Sequence, residues 1–277
     1  MAEESQYLSF HGIRVHFRIA APEGEIRDRV LLLSSPLIST FHWRKLVPEL
    51  TQLGCLTVLV DLPGFGKSDC SMNVPQDGAM RANLVWGVLD EIDSQSGFPG
   101  STWHLVGHGS ACAAILEMGA LYPDSVKSQV HIAPLLTTQI SPKAPPPARW
   151  FRETVFIKDN FRRMVEHYSG YPMDDYIIDR MRNPLLRPGA QESFLRMVRA
   201  GERPPECGLG FCPSMVLIGG RDAMMTPPVR ADISRNMKGA ETHVLQSAGH
   251  FPMETHSKAL RDYLRGWIKY IALADKF

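Results

Sequence analysis

Seven short apolar runs punctuate the chain, and longer stretches with helical spacing separate most of them. The runs are IRVHFRIA (13–20), RVLLLSS (29–35), CLTVLVDL (55–62), STWHLVGH (101–108), VKSQVHIAPL (126–135), PSMVLIGG (213–220) and ETHVLQS (241–247). Such runs, bounded by Gly, Pro and polar loops and alternating with helix-length segments, predict a mostly parallel sheet covered on both faces. Helical spacing fits residues 43–53, 80–92, 110–121 and 256–271.

The rhythm breaks between residues 136 and 210. A proline-rich entry, SPKAPPPARW, leads into some sixty residues of amphipathic helical pattern with no strand signal, and ERPPECGLG closes it. This reads as a helical cap (136–210) inserted into a core made of residues 1–135 and 211–277. Arginines at 149, 152, 162, 163, 180, 182, 187, 196 and 199 are scattered through it, a pattern expected of a solvated helix face rather than an anion site.

Composition narrows the class. With 277 residues, 44% hydrophobic, 21% charged and a formal net charge of +1, nothing attracts nucleic acid or anionic lipid, and neither is expected as a partner. The acidic start MAEESQYLSF is unlike a signal peptide, and no apolar stretch reaches membrane-spanning length, so the expected location is the cytoplasm. Five cysteines (55, 70, 112, 207, 212) form no Cys-x-x-Cys pair. They read as reduced thiols, and no metal site is expected.

Four stretches carry candidate chemistry: LVGHGSACAAI (105–115), VDLPGFGKSD (60–69), VLIGGRDAMMTPP (216–228) and LQSAGHFPMETH (245–256). In order and spacing they resemble the landmarks of the α/β-hydrolase superfamily, particularly the capped branch with epoxide hydrolases, haloalkane dehalogenases and carbon-carbon bond hydrolases. The resemblance covers nearly the whole chain outside the cap. It implies an α/β-hydrolase fold: an eight-stranded, mostly parallel sheet with helices on both faces. It also implies an acid at Asp222 and a catalytic histidine at His250. A carboxylate on the imidazole Nδ1–H fixes the tautomer and stabilises the imidazolium that forms when Nε2 takes a proton.

The strand-to-helix turn departs from the family. A gapless alignment to LYP (121–123) puts the nucleophile position on Gly109, next to Ser110. A one-residue slip makes Ser110 the nucleophile but places His108 and Cys112 where the turn wants small residues. The loop that in the family follows the third strand departs too. In place of the usual His-Gly stand Ser34-Ser35, and the second oxyanion donor falls on Pro36, which has no N–H, leaving Leu37 as a substitute. Asp61, with Gly64 and Gly66, is expected to anchor a turn, and His108 to pack. His42, Trp43 and the cap tyrosines Tyr168, Tyr171 and Tyr176 are candidate pocket residues.

These features predict an enzyme without cofactor or covalent intermediate, with His250 and Asp222 as general base on an apolar, aromatic or polyketide-like small molecule. Expected reactions include non-hydrolytic C–C or C–O bond formation or cleavage, cyclisation and epoxide opening, in the context of natural product biosynthesis. Two alternatives stand beside it: a ligand-binding protein that has lost its chemistry, and a hydrolase working through Ser110 or an activated water. Sequence leaves monomer and homodimer open.

Overall fold

The computed structural model describes residues 5–96, 101–136, 153–200, 205, 209–210 and 212–274. Strand β1 (Gln6–Phe10) pairs with β2 (Ile13–Ala20) around a two-residue turn, His11-Gly12. Both turn residues have positive φ, 51° and 79°, as in the type I′ hairpin, whose twist matches that of the strands. β2 runs antiparallel to β4 (Cys55–Asp61). The remaining pairings, through β3 (Asp28–Ser34), β5 (Trp103–His108), β6 (Val126–Ile132), β7 (Ser214–Gly219) and β8 (Glu241–Leu245), are parallel. The order across the eight-stranded sheet is β1-β2-β4-β3-β5-β6-β7-β8.

Alternation along the central strands feeds two cores. Leu32 packs in a cluster with Leu50 of α1 (Val47–Gln52) and with Leu264, Trp267 and Ile271 of α8 (Ser257–Ala274). Leu31 and Leu33 face the other way. They pack with Val85 and Leu89 of α2 (Gly78–Ser96) and with Ile115 and Met118 of α3 (Ala111–Leu121). A leucine buried this completely contributes about 1.5–3 kcal/mol, so burial on both faces fixes the central strands first. The edge strand β1 has only half-exposed and exposed positions, which is why QYLSF carries no apolar run in the sequence.

Among the described residues, three α-helices lie between β6 and β7: α4 (Lys158–Ser169), α5 (Asp175–Arg182) and α6 (Ala190–Ala200). Phe161, Val165, Ile178 and Met181 on their inner faces share one cluster with Val106, Ile132 and Leu217 of the sheet. The proline-rich entry at 141–150, Arg149, Arg152, Cys207 and most of the closing segment lie outside the described residues.

Two of the nine arginines, Arg187 and Arg196, depart from the expectation of a solvated face. Arg187 donates to the carbonyls of Gly66 and Ser68, and Arg196 to those of Ser71 and Met72. They staple the inserted helices to the loop after β4, because a guanidinium carries five donors that a carbonyl-rich loop can absorb. Helix α7 (Pro227–Asn236) was not legible either. It opens on Pro227-Pro228 directly after the Asp222 loop, with prolines in the first turn, where a missing N–H costs nothing.

Candidate active site

The carboxyl ends of β5, β7 and β8 converge on one buried cluster. Asp222 follows β7, and its Oδ1 accepts from the N–H of Met224 at 2.8 Å. Its Oδ2 accepts from His250 Nδ1–H, also at 2.8 Å. Both side chains are almost wholly buried, so little solvent competes for this bond. With Nδ1 donating to a carboxylate, the lone pair of the imidazole lies on Nε2.

The backbone of His250 is pinned on both sides. Its N–H donates to the carbonyl of Tyr168, at the end of α4, at 2.8 Å. Its carbonyl accepts from His108 Nε2–H, again at 2.8 Å. Gly249 makes the first contact possible, because a Cβ there would stand 2.0 Å from the Ser169 carbonyl oxygen. The imidazoles of His108 and His250 are 4.9 Å apart, tilted by 59°.

Gly109 forms the apex between β5 and α3. Its φ is +58°, its N–H donates to the Ile132 carbonyl at 3.0 Å, and its carbonyl accepts from Leu135 at 3.0 Å. Two residues earlier, Gly107 permits close helix-strand approach: a Cβ there would lie 3.0 Å from the Ala111 carbonyl oxygen. A Cβ at Gly109 would lie 3.7 Å from His250 Nε2, 3.4 Å from Ser35 Oγ and 3.5 Å from Ser35 Cβ. The Cβ position of Gly109 therefore faces the imidazole. Ser110 has right-handed helical backbone (φ −70°, ψ −19°), and its buried Oγ has no hydrogen-bond partner among the described residues.

Opposite this apex, Ser35-Pro36-Leu37-Ile38 makes a tight turn closed by Ile38 N–H on the Ser35 carbonyl at 3.1 Å. Pro36 sits at its second position, where proline's fixed φ is favourable. The backbone N–H groups of Leu37 and Ser110 donate to no acceptor among the described residues. Ser35 Oγ is 3.1 Å from His108 Nδ1.

The flanking candidates separate. His42 is fully buried, with Nδ1 accepting from the Ser39 N–H at 2.9 Å, and burial holds its pKa down to about 4. Its Nε2 has no partner among the described residues. Trp43 is wholly buried in the core and donates from Nε1 to Ser34 Oγ at 3.1 Å, so it secures the end of β3. Tyr168 reaches the site through its carbonyl. The Tyr171 hydroxyl donates to the Ser247 carbonyl at 2.8 Å, and Tyr176 is exposed, its ring edge-on to Phe41. The hydroxyl of Tyr171 is thus engaged by Ser247 and the ring of Tyr176 by Phe41.

Asp61 binds His16 Nδ1–H and the N–H of Thr40, each at 2.8 Å, and the N–H of Lys67 at 2.9 Å. It ties the loop after β4 to the turn preceding His42. A Cβ at Gly66 would lie 2.3 Å from the Asp61 carboxyl carbon, so glycine is required there. His16 gave no sequence signal, because its partner lies 45 residues away.

The chain belongs to the alpha/beta hydrolase family, whose model matches residues 30–263. It is 24% identical over 233 residues to a 2-hydroxy-6-oxononadienedioate/2-hydroxy-6-oxononatrienedioate hydrolase of Cupriavidus pinatubonensis, covering 79% of this chain and 78% of that one. Among solved structures it resembles a probable hydrolytic enzyme of Pseudomonas aeruginosa, with a TM-score of 0.77 and 17% identity over 96% of this chain and 94% of that one. It also resembles an enol-lactonase of Burkholderia xenovorans, with a TM-score of 0.76 and 16% identity over 95% and 100%. No helix among the described residues is long and apolar enough to cross a membrane.

Proposed function

We propose that this chain is a cofactor-independent enzyme in which His250, backed by Asp222, takes a proton directly from a group lying over Gly109. The observation that carries the reading is the Cβ position of Gly109, 3.7 Å from His250 Nε2. The family's nucleophile would stand there, and here the imidazole lone pair is left facing the space. Asp222 orients the ring and stabilises the imidazolium once the proton arrives. Negative charge developing on the substrate would be met by the N–H of Ser110, which is uncommitted among the described residues.

The pinned backbone of His250 supports a working base over a relic. A base must be held within hydrogen-bond reach of the proton it abstracts, and bonds from both α4 and His108 hold this one. The substrate class on this reading is a small apolar molecule, aromatic or polyketide-like. On this reading the reaction is C–C or C–O bond formation or cleavage, cyclisation or epoxide opening in natural product biosynthesis, carried out in the cytoplasm by a monomer or homodimer.

The test is a substrate panel comprising a 2-hydroxy-6-oxo-dienedioate, an enol-lactone and an aryl epoxide, run beside a fluorophosphonate probe. The proposal expects turnover of at least one compound with no covalent labelling. Stoichiometric labelling of Ser110 accompanied by ester turnover would replace it with a serine hydrolase.

A further inference from the structure

We infer that Ser35 and His250 form a two-acceptor clamp over Gly109 that holds water as the proton-donating reactant. The inference rests on the general-base reading above and identifies the group that the base deprotonates.

The argument starts from a carbonyl. His108 Nε2 lies 2.8 Å from the His250 backbone oxygen, and a carbonyl only accepts, so Nε2 carries a proton. Burial, reinforced by the neighbouring His250, holds the His108 pKa well below the usual histidine range. The ring is therefore neutral, and Nδ1 has a lone pair. Among the described residues, the one proton within reach of that lone pair belongs to Ser35, whose Oγ is 3.1 Å away. Ser35 donates to His108, and its own lone pairs are what remain to face Gly109.

The same logic applies across the site. His250 Nδ1–H is committed to Asp222, so Nε2 also offers a lone pair. The position of a Cβ at residue 109 is 3.4 Å from Ser35 Oγ and 3.7 Å from His250 Nε2. Two acceptors thus border the point at which a side chain on residue 109 would begin. A carboxylate or enolate oxygen placed there would meet lone pairs on both sides. Water brings two protons, one for each acceptor. In the reaction the proton on the His250 side passes to Nε2 and the water oxygen bonds to the electrophilic carbon, as that carbon's carbonyl π bond or epoxide C–O bond breaks and its electron pair moves onto the substrate oxygen. That oxygen then takes the proton from Nε2, and the second water proton stays on the attacking oxygen, still held by Ser35.

His108 is too weak a base to make Ser35 itself the nucleophile, because a depressed pKa leaves little driving force for taking the hydroxyl proton. Ser35 is a positioning residue. Its proton is committed by a histidine that never touches substrate.

The test combines nitrogen NMR of histidine-labelled protein with high-resolution crystallography, using water itself as the probe. The expected spectrum has His108 protonated on Nε2 and bare on Nδ1 from pH 5 to 8. The expected crystal structure of the parent has a water bonded to both His250 Nε2 and Ser35 Oγ. Ser35→Ala should lose that water and about tenfold in turnover, while His250→Ala abolishes turnover. His108 protonated on Nδ1 would turn Ser35 into a donor and overturn the clamp, as would a parent site without the bridging water. Full turnover by Ser35→Ala with none by His250→Ala would sink the clamp and leave the general base standing.

Discussion

Gly109 presents its missing side chain to His250: a Cβ on this glycine would lie 3.7 Å from the imidazole Nε2. The backbone at this point still has the positive φ of +58° that the strand-to-helix turn imposes. With glycine at this turn, that Cβ position is unfilled.

Gly109→Ala tests the use of that space. The left-handed conformation costs a non-glycine residue about 1–2 kcal/mol, and the new methyl meets only ordinary contacts at 3.4–3.7 Å. The variant should fold, with a stability loss of that size by urea denaturation, and should lose at least tenfold in turnover because the methyl stands before the base. A stable Gly109→Ala enzyme with parental rate would place the reacting group elsewhere.

Gly109→Ser rebuilds the side chain but not an esterase. Pro36 supplies no N–H at the expected donor position, and loss of one oxyanion donor costs about 10² to 10³ in rate. Slow or absent release of p-nitrophenol from short activated esters is the expected outcome. Rates typical of serine esterases would show that Leu37 fully replaces the missing donor.

The strands and the Asp222–His250 pair were legible because each depends on local signals: buried strands are continuous apolar runs, and the acid and base sit in short Gly-rich loops. What joins the site was not. His108 read as packing, yet it bridges Ser35 and the His250 carbonyl across 142 residues. The bond from His250 to the Tyr168 carbonyl uses backbone atoms, which side-chain patterns do not record. The cap arginines read as solvated because arginine on an amphipathic helix usually is. Only the fold shows that carbonyls of the loop after β4 lie within reach of Arg187 and Arg196.

Gly249→Ala probes the junction between the inserted helices and the base. Its Cβ would meet the backbone oxygens of Ser169 at 2.0 Å and Tyr168 at 2.7 Å, which cannot move without shifting α4. Overpacking of this kind costs about 1–3 kcal/mol. The variant should lose stability and turnover together. A Tm within a degree of the parent would show that α4 is not held there.

Acid should weaken the fold before carboxylates titrate. Burial lowers the pKa of His42 to about 4 and of His131 to about 3, while in the unfolded chain each titrates near 6.5. The unfolded state therefore binds more protons, and stability is fully present above about pH 6.5. It falls with decreasing pH toward about 4 for His42 and about 3 for His131, by up to about 1.4 kcal/mol per pH unit for each. Urea midpoints measured from pH 7.5 to 5 should decline, and His131→Asn should have the shallower slope. A flat profile over that range would contradict neutral burial of these rings.

The central claim is that His250, oriented by Asp222, performs the proton transfer. Turnover of the substrate that emerges from the panel, measured for the parent, His250→Ala and Asp222→Asn with folding checked by circular dichroism, tests it most directly. Loss of at least 10³-fold with His250→Ala, and a large loss with Asp222→Asn through the wrong tautomer, is the predicted result. Unchanged turnover in a folded His250→Ala protein would contradict the account.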